Sequence, residues 1–296
     1  MLENSASLVH KVNWHRATLP MLATRAMGNG TPMLIMLNAF LKSIKPITDD
    51  ARKVKLTFRV PNAYAHRLRK QAHEAFTLEV DFFGADEAWL TAWQAALQRY
   101  IAQTPQAGFV VTAAPCVEAM AWTLALPNQQ PSFPRRRESS QTVNDLAQQG
   151  QSLLIEPLDS RLRGNDDITS HAELEFFSPL PFKREKGDSR THLTAELFFK
   201  QLARRAEQLF GIKFPAPDLS NVQLQSHHWT YTELRHHSKS QPGHTQYYNG
   251  CFGSLYFSGE IAAIQPWLKL AAEIHAGGSV DINPLGYCRL HHPARA

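Results

Sequence analysis

One arrangement of elements, strand, helix, strand, strand, helix, strand, can be read twice along this chain of 296 residues, and nothing else in the sequence restricts its fold as tightly. In the first pass residues 8–19 read as a strand and PMLATRAMGNGTP as a loop rich in turn residues. PMLIMLNAFLKSI follows with Leu34, Leu37, Leu41 and Ile44 at helical spacing, Pro32 near its first turn and Lys45-Pro46 as its stop. KLTFRV and FTLEVDFFG alternate like strands, and DEAWLTAWQAALQRYIAQ is an amphipathic helix bounded by Pro105. GFVVTAAPCVEAMAWTLAL supplies a further strand, folded as a hairpin. In the second pass AELEFFS is a strand and SRTHLTAELFFKQLARRAEQLFG a helix ended by Gly211. VQLQSHHWTYTELRHH and TQYYNGCFGSLYFSGE form a long hairpin, IAAIQPWLKLAAEIHAGG is a helix, and LGYCRLHH closes the half. The pattern predicts an α+β fold of two tandem ferredoxin-like (RRM-like) βαββαβ units, each sheet having one face under helices and one open to a ligand.

Between the passes the composition changes. Residues 131–168 hold Pro, Gly, Ser, Gln and Asn with little apolar periodicity beyond Leu153, Leu154 and Ile155. Five arginines there, three of them in Arg135–Arg137, face six acidic residues, so the segment is no basic arm despite its PRRRES opening. PRRRES and LDSRLRGNDD resemble the in-frame translation of an interspersed palindromic DNA repeat of bacterial genomes. Surface loops accept long insertions at small entropic cost. The expected division is therefore an N-terminal unit over 1–130, an inserted, disordered passenger loop over 131–168 and a C-terminal RNA-binding unit over 169–296.

The formal net charge is +5, and its placement says more than its sum. From Lys42 to Lys70 nine Lys or Arg stand against Asp49 and Asp50, interleaved with Phe58 and Tyr64. Such a segment suits a polyanion, because cations displace counterions from phosphate while rings stack on bases; a merely solvated surface is the alternative. Cys116, Cys251 and Cys288 form no CxxC pair, which argues against a disulfide framework or cysteine zinc site. No apolar run has the length of a signal peptide or membrane span, so a soluble protein of the cytoplasm is expected.

The second half, through SPLPFKREKG, the arginine-bearing FFKQLARRAEQLFG, GCFGSLYFSGEIAAIQPWLKLAAEIHAGG and PLGYCRL, resembles the CRISPR-associated endoribonucleases that process precursor crRNA, members of the RAMP superfamily. The first half agrees more loosely, through EVDFFGADEAWLTAWQAAL. The resemblance implies a loop after the last helix in which glycines, here Gly277, Gly278 and Gly286, let backbone approach another chain segment or a phosphate. VDINPLGY lacks the paired glycines that relatives carry near the end of that loop. The implied reaction needs no metal: a ribose 2′-hydroxyl attacks the adjacent phosphate, leaving a 2′,3′-cyclic phosphate and a 5′-hydroxyl, and the enzyme stays on its product. The implied partners are precursor crRNA, the mature crRNA repeat hairpin and other subunits of a CRISPR ribonucleoprotein, with no cofactor and no membrane.

That chemistry calls for a base, an acid and a cation over the phosphorane. Relatives place a histidine near the start of the first helix, but GNGTPMLIMLN has none, a feature shared with the type IV branch. Candidates are His15 and Arg16 in the first strand and Arg25 in the following loop, expected on one side of the domain. Each has a plainer role: His15 packing at a sheet edge, Arg16 solvated, Arg25 tying down its loop. Arginine stabilises a phosphorane but is a poor base, which predicts slow, single-turnover cutting. Without a catalytic histidine the chain would be a non-catalytic crRNA-binding subunit. For RNA grip the candidates are Arg67, Arg69 and Lys70 in the basic segment, then Lys183, Arg184, Lys186, Arg190, Arg204, Arg205, Arg235 and Lys239, with Gly277 and Gly278. The doublets His227-His228, His236-His237 and His291-His292 send neighbours to opposite strand faces, so a shared metal ion is not expected.

Overall fold

The computed structural model describes residues 9–27, 33–46, 54–64, 68–103, 108–125, 171–183, 187, 189–237, 245–277 and 282–291. The proposed insertion, residues 131–168, lies outside them. By its internal contacts the chain divides into residues 1–10 with 124–168, nearly all undescribed, and one larger unit of 11–123 with 169–296, to which everything below refers.

The first half runs β1 (Val9–Ala23), α1 (Met33–Ile44), β2 (Lys55–Arg59), β3 (Ala75–Phe83), α2 (Glu87–Gln103), β4 (Phe109–Val111) and β5 (Cys116–Ala125). Its strands lie in the order β4-β1-β3-β2 with antiparallel neighbours. The helices form where the apolar spacing demands. Met33, Leu34, Leu37, Phe40, Leu41 and Ile44 of α1 are all buried, as are Trp89, Trp93 and Leu97 of α2. They close over Ala17, Leu19, Met21 and Ala23 of β1 and Leu78, Val80 and Phe82 of β3, the alternate residues of one sheet face. Full burial of each large side chain is worth about 1.5–3 kcal/mol, so this face fixes the strand register.

The second half runs β6 (His171–Leu180), α3 (Ala195–Phe210), β7 (Val222–His237), β8 (Thr245–Gly259), a 3₁₀ turn (Ile261–Ala263), α4 (Gln265–Ile274), β9 (Ile282–Asn283) and β10 (Cys288–His291). The order β10-β6-β8-β7 repeats that of the first half. Thr194 caps α3 by accepting the Leu197 amide, and Gly211, at φ 69°, ends it by donating to the Glu207 carbonyl. Both units are thus ferredoxin-like in topology, as the repeated pattern predicts.

Three details differ from the sequence reading. β1 continues through Pro20 to Ala23, because the Pro20 carbonyl still accepts the Thr112 amide although the residue donates nothing. β4 and β5 do not form a hairpin with each other; both pair with the long β1. The two residues of β9 leave the second half and join the first sheet, parallel to β2, with Leu56 opposite Ile282 and Thr57 opposite Asn283.

That last strand is one of several ties between the halves. Phe210 at the end of α3 packs on Trp14 (ring centroids 6.2 Å apart) and on Phe83 (5.6 Å). Arg59 donates to the carbonyls of Ala272 and Glu273, where the last turn of α4 presents negative partial charge. In return Tyr64, beyond β2, stacks on Phe177 of β6 at 4.5 Å and 11° and donates its hydroxyl to Glu175. The first sheet's second face is therefore partly covered by the other half, where the sequence reading left it open to a ligand.

Candidate nucleic-acid interface

On that second face the sequence places charge in rows. β1 and β3 pair Arg16 with Asp81, and β2 and β3 pair Thr57 with Asp81 and Arg59 with Glu79. Paired residues share a face, so these side chains meet. Asp81 is fully buried and accepts from Trp14 Nε1 (3.0 Å), Arg16 Nε (2.7 Å) and Thr57 Oγ1 (3.3 Å), with Arg59 Nη2 at 3.2 Å. Arg16 also holds Glu273 of α4 at 2.7 Å, and Arg59 holds Glu79 at 2.7 Å. Burial works against the Arg16 charge, but Asp81 and then Glu273 more than offset it, and its pKa is raised above the ordinary value. Two guanidiniums here face three carboxylates, so neither is free to take a phosphate.

Beside this cluster lies a cavity of about 440 Å³ lined by Arg16, Arg59, Lys269, Glu273, Tyr287 and Arg289. With Arg16 and Arg59 committed, its uncommitted cations are Lys269, exposed, and Arg289, whose guanidinium sits 5.0 Å from the Phe177 ring centroid. A second cavity of about 320 Å³ is lined by Leu180, Pro181, Phe182, Arg190, Tyr231, Asn249 and Gly250. Arg190 lies over the Tyr231 ring at 4.8 Å and pairs with Glu233 at 2.9 Å while staying 56% exposed, so it can trade that carboxylate for phosphate.

The catalytic candidates do not converge. His15 and Arg16 are neighbours in β1, and only Arg16 points into the carboxylate cluster. From His15 to Leu22 the strand keeps an unbroken register against β3, a run of about 23 Å at ~3.3 Å per residue. Arg25, exposed beyond that end near Gly108, is out of reach of His15. Of the RNA candidates, Arg69, Lys183, Arg190 and Arg204 are exposed, and Lys70 is tied to Glu74 at 2.6 Å. Arg205 is instead buried, 2% exposed, with Nε and Nη2 unpartnered, and burial lowers its pKa to about 10. Arg235 lies in β7, in register with Tyr247 of β8. Arg67, Arg184, Lys186, Lys239 and Gly278 lie outside the described residues.

The glycines serve packing. A Cβ on Gly277 would stand 2.6 Å from Pro181 Cδ, and one on Gly286, whose φ is 75°, would stand 2.3 Å from the Gly277 amide nitrogen. Of the two approaches open to these glycines in the sequence, chain segment or phosphate, the structure displays the first at Gly277. This knot fixes Tyr287, whose carbonyl accepts the Phe177 amide at 2.8 Å and whose amide donates to Ser178 Oγ at 2.8 Å.

A family model described as the CRISPR-associated endoribonuclease Cas6 matches residues 174–282. Over that stretch the second half of the chain is similar to Cas6. Its matched stretch begins inside β6 and ends at the start of β9, so β10 falls outside it. Among solved structures, a Cas6 product complex aligns with a TM-score of 0.51 at 10% identity, covering 94% of this chain and all of that one. A partial Cas6-RT-Cas1–Cas2 complex aligns at 0.55 and 11% identity over 96% of this chain, which spans 47% of that chain. At such identities the likeness shows the fold. No curated protein matches the sequence significantly. Among the described residues no helix is long and apolar enough to cross a membrane.

Proposed function

We propose that the chain is a metal-independent endoribonuclease that binds the hairpin of a CRISPR repeat, cuts precursor crRNA at its 3′ base by 2′-hydroxyl attack and remains on the mature crRNA. The observation that carries this reading is the Cas6 match running from β6 through α4, the βαββα part of a ferredoxin-like unit that β10 completes. Exposed cations at Lys183, Arg190, Lys269 and Arg204 on that unit support it, since A-form RNA is gripped through phosphate and shape. Residues 1–130 and 169–296 act together, with 131–168 a passenger segment, and other CRISPR subunits hold the resulting ribonucleoprotein.

Purified protein is incubated in EDTA with labelled repeat RNA, and with the same RNA carrying one 2′-deoxy sugar at the cut. Cutting of the first alone supports the reading. A specific observation favours a second one: α1 brings no histidine and Arg16 is locked between Asp81 and Glu273. Tight binding with both RNAs intact would identify a non-catalytic crRNA-binding subunit.

A further inference from the structure

We infer that the open face of the second sheet carries an acid–base pair, Glu173 and His291, placed to cut a ribonucleotide strand beside the Arg289 guanidinium. The inference rests on the endoribonuclease reading above and supplies the proton-transfer groups that His15, Arg16 and Arg25 do not. Neither Glu173 nor His291 lies within the stretch matched by the family model.

The placement follows from register. Ala172, Leu174 and Phe176 of β6 are buried under the helices, so Glu173, Glu175 and Phe177 point the other way. β10 sets His291 opposite Glu173 and Arg289 opposite Glu175. Opposed residues of antiparallel strands share a face with Cβ atoms roughly 4.5–5.5 Å apart, a separation that lets two side chains flank one phosphate.

Each carboxylate is held by a tyrosine. Tyr256, opposite Glu173 on β8, hydrogen-bonds to it, and that bond, more than burial, raises the phenol's pKa, so the ring remains a donor. Tyr64, from the first half, donates to Glu175, whose Oε2 lies 2.8 Å from His291 Nε2. With Nε2 so fixed and the side chain 39% exposed, Nδ1 is the nitrogen left for a substrate. His291 and Arg289 on β10 face the two carboxylates, Glu173 and Glu175, across the strand pair. His227 also sits on this face, but β7 is three strands from β10, about 14 Å at ~4.8 Å per strand, too far to share the phosphate.

In the step itself the Glu173 carboxylate takes the 2′-hydroxyl proton as the 2′-oxygen bonds to phosphorus. Arg289 faces the charge gathering on the non-bridging oxygens. The bond from phosphorus to the 5′-oxygen breaks, and the His291 imidazolium gives that oxygen its Nδ1 proton. The products are a 2′,3′-cyclic phosphate and a 5′-hydroxyl, with a neutral imidazole and a protonated carboxyl that exchange with water. Tyr256, Glu175 and Tyr64 are positioning residues.

The test compares the wild type, His291→Ala, His291→Asn and Glu173→Gln on a CRISPR-repeat stem-loop RNA, and on the same RNA with sulfur replacing the 5′-bridging oxygen at the mapped cut. A thiolate leaves without a proton. Loss of the acid should slow the oxygen substrate about 10²- to 10⁴-fold and leave the sulfur substrate near wild-type rate, whereas Glu173→Gln should slow both. RNA affinity and melting temperature should stay close to wild type. An active wild type with His291 variants cutting the oxygen RNA within about threefold of it, or slowed equally on both RNAs at unchanged melting temperature, overturns the pair alone. A wild type that binds both RNAs and cuts neither overturns the endoribonuclease reading and the pair with it.

Discussion

Replacing Asp81 by Ala removes the anion that holds Arg16 and Arg59, the two arginines that reach the last turn of α4. The carboxylate is fully buried and takes hydrogen bonds from Trp14, Arg16 and Thr57, with Arg59 at 3.2 Å. Removing one member of a buried charge network costs about 3–5 kcal/mol, chiefly because the partners stay buried without compensation. Arg16 keeps Glu273 and Arg59 keeps Glu79, which puts the expectation near the lower figure. With roughly 2–4 °C of melting temperature per kcal/mol in a chain of this size, Asp81→Ala should melt at least about 6 °C below wild type by circular dichroism or calorimetry. Glu273→Gln removes a carboxylate that is 37% exposed and water-screened, and should cost under about 1 kcal/mol. The ordering is the refutable content. If Asp81→Ala melts within about 2 °C of wild type, or Glu273→Gln costs as much, the buried network does not hold the halves together.

Arg205→Met should raise the melting temperature, because a buried cation with two unpartnered nitrogens gives way to an apolar chain of similar length, and should leave RNA affinity unchanged; a loss of affinity measured by filter binding would restore Arg205 as an RNA ligand. Thiol titration of the native protein should count one reactive cysteine, the exposed Cys116, and three after denaturation, since burial lifts Cys251 to about 11 and Cys288 higher still. Both buried thiols stay protonated at neutral pH, so raising the pH to 8.5 should add no second fast phase. Gly277→Ala should lower the melting temperature through its clash with Pro181, and RNA affinity should fall no further than the folded fraction does; a selective loss of binding at full stability would mean that the glycine meets phosphate.

Element order was legible in the sequence because each helix and strand carries its own periodicity: Leu34, Leu37 and Leu41 mark a helix wherever α1 ends up, and FTLEVDFF alternates whatever lies beside it. Strand pairing follows almost automatically, since a βαββαβ unit with right-handed crossovers has few ways to close. What could not be read is whatever depends on two segments far apart in the chain. Arg16 looks like a free cation until Asp81, 65 residues on, and Glu273, 257 residues on, are seen to hold it. Arg204 and Arg205 are adjacent letters, yet one lies on the exposed side of α3 and the other on the buried side, a distinction the helical wheel offers and a count of arginines hides. The Ile282–Asn283 strand has no local signal, because two residues carry no periodicity.

The same argument explains why the proposed Glu173–His291 pair has no signature in the sequence. A histidine in LGYCRLHH reads as a strand-end residue, and two glutamates in AELEFF read as solvated alternation. Only the register between β6 and β10 sets His291 across from Glu173, and only the loop after β2 brings Tyr64 to Glu175. An acid–base site built on one sheet is thus secured by a side chain from the other unit. Tyr64→Phe, which keeps the stack on Phe177 and deletes the hydroxyl, should therefore loosen His291 while leaving the halves together. Slower cutting at unchanged melting temperature and RNA affinity is the expected result. Unchanged cutting would mean that Glu175 orients the imidazole without help from the first half.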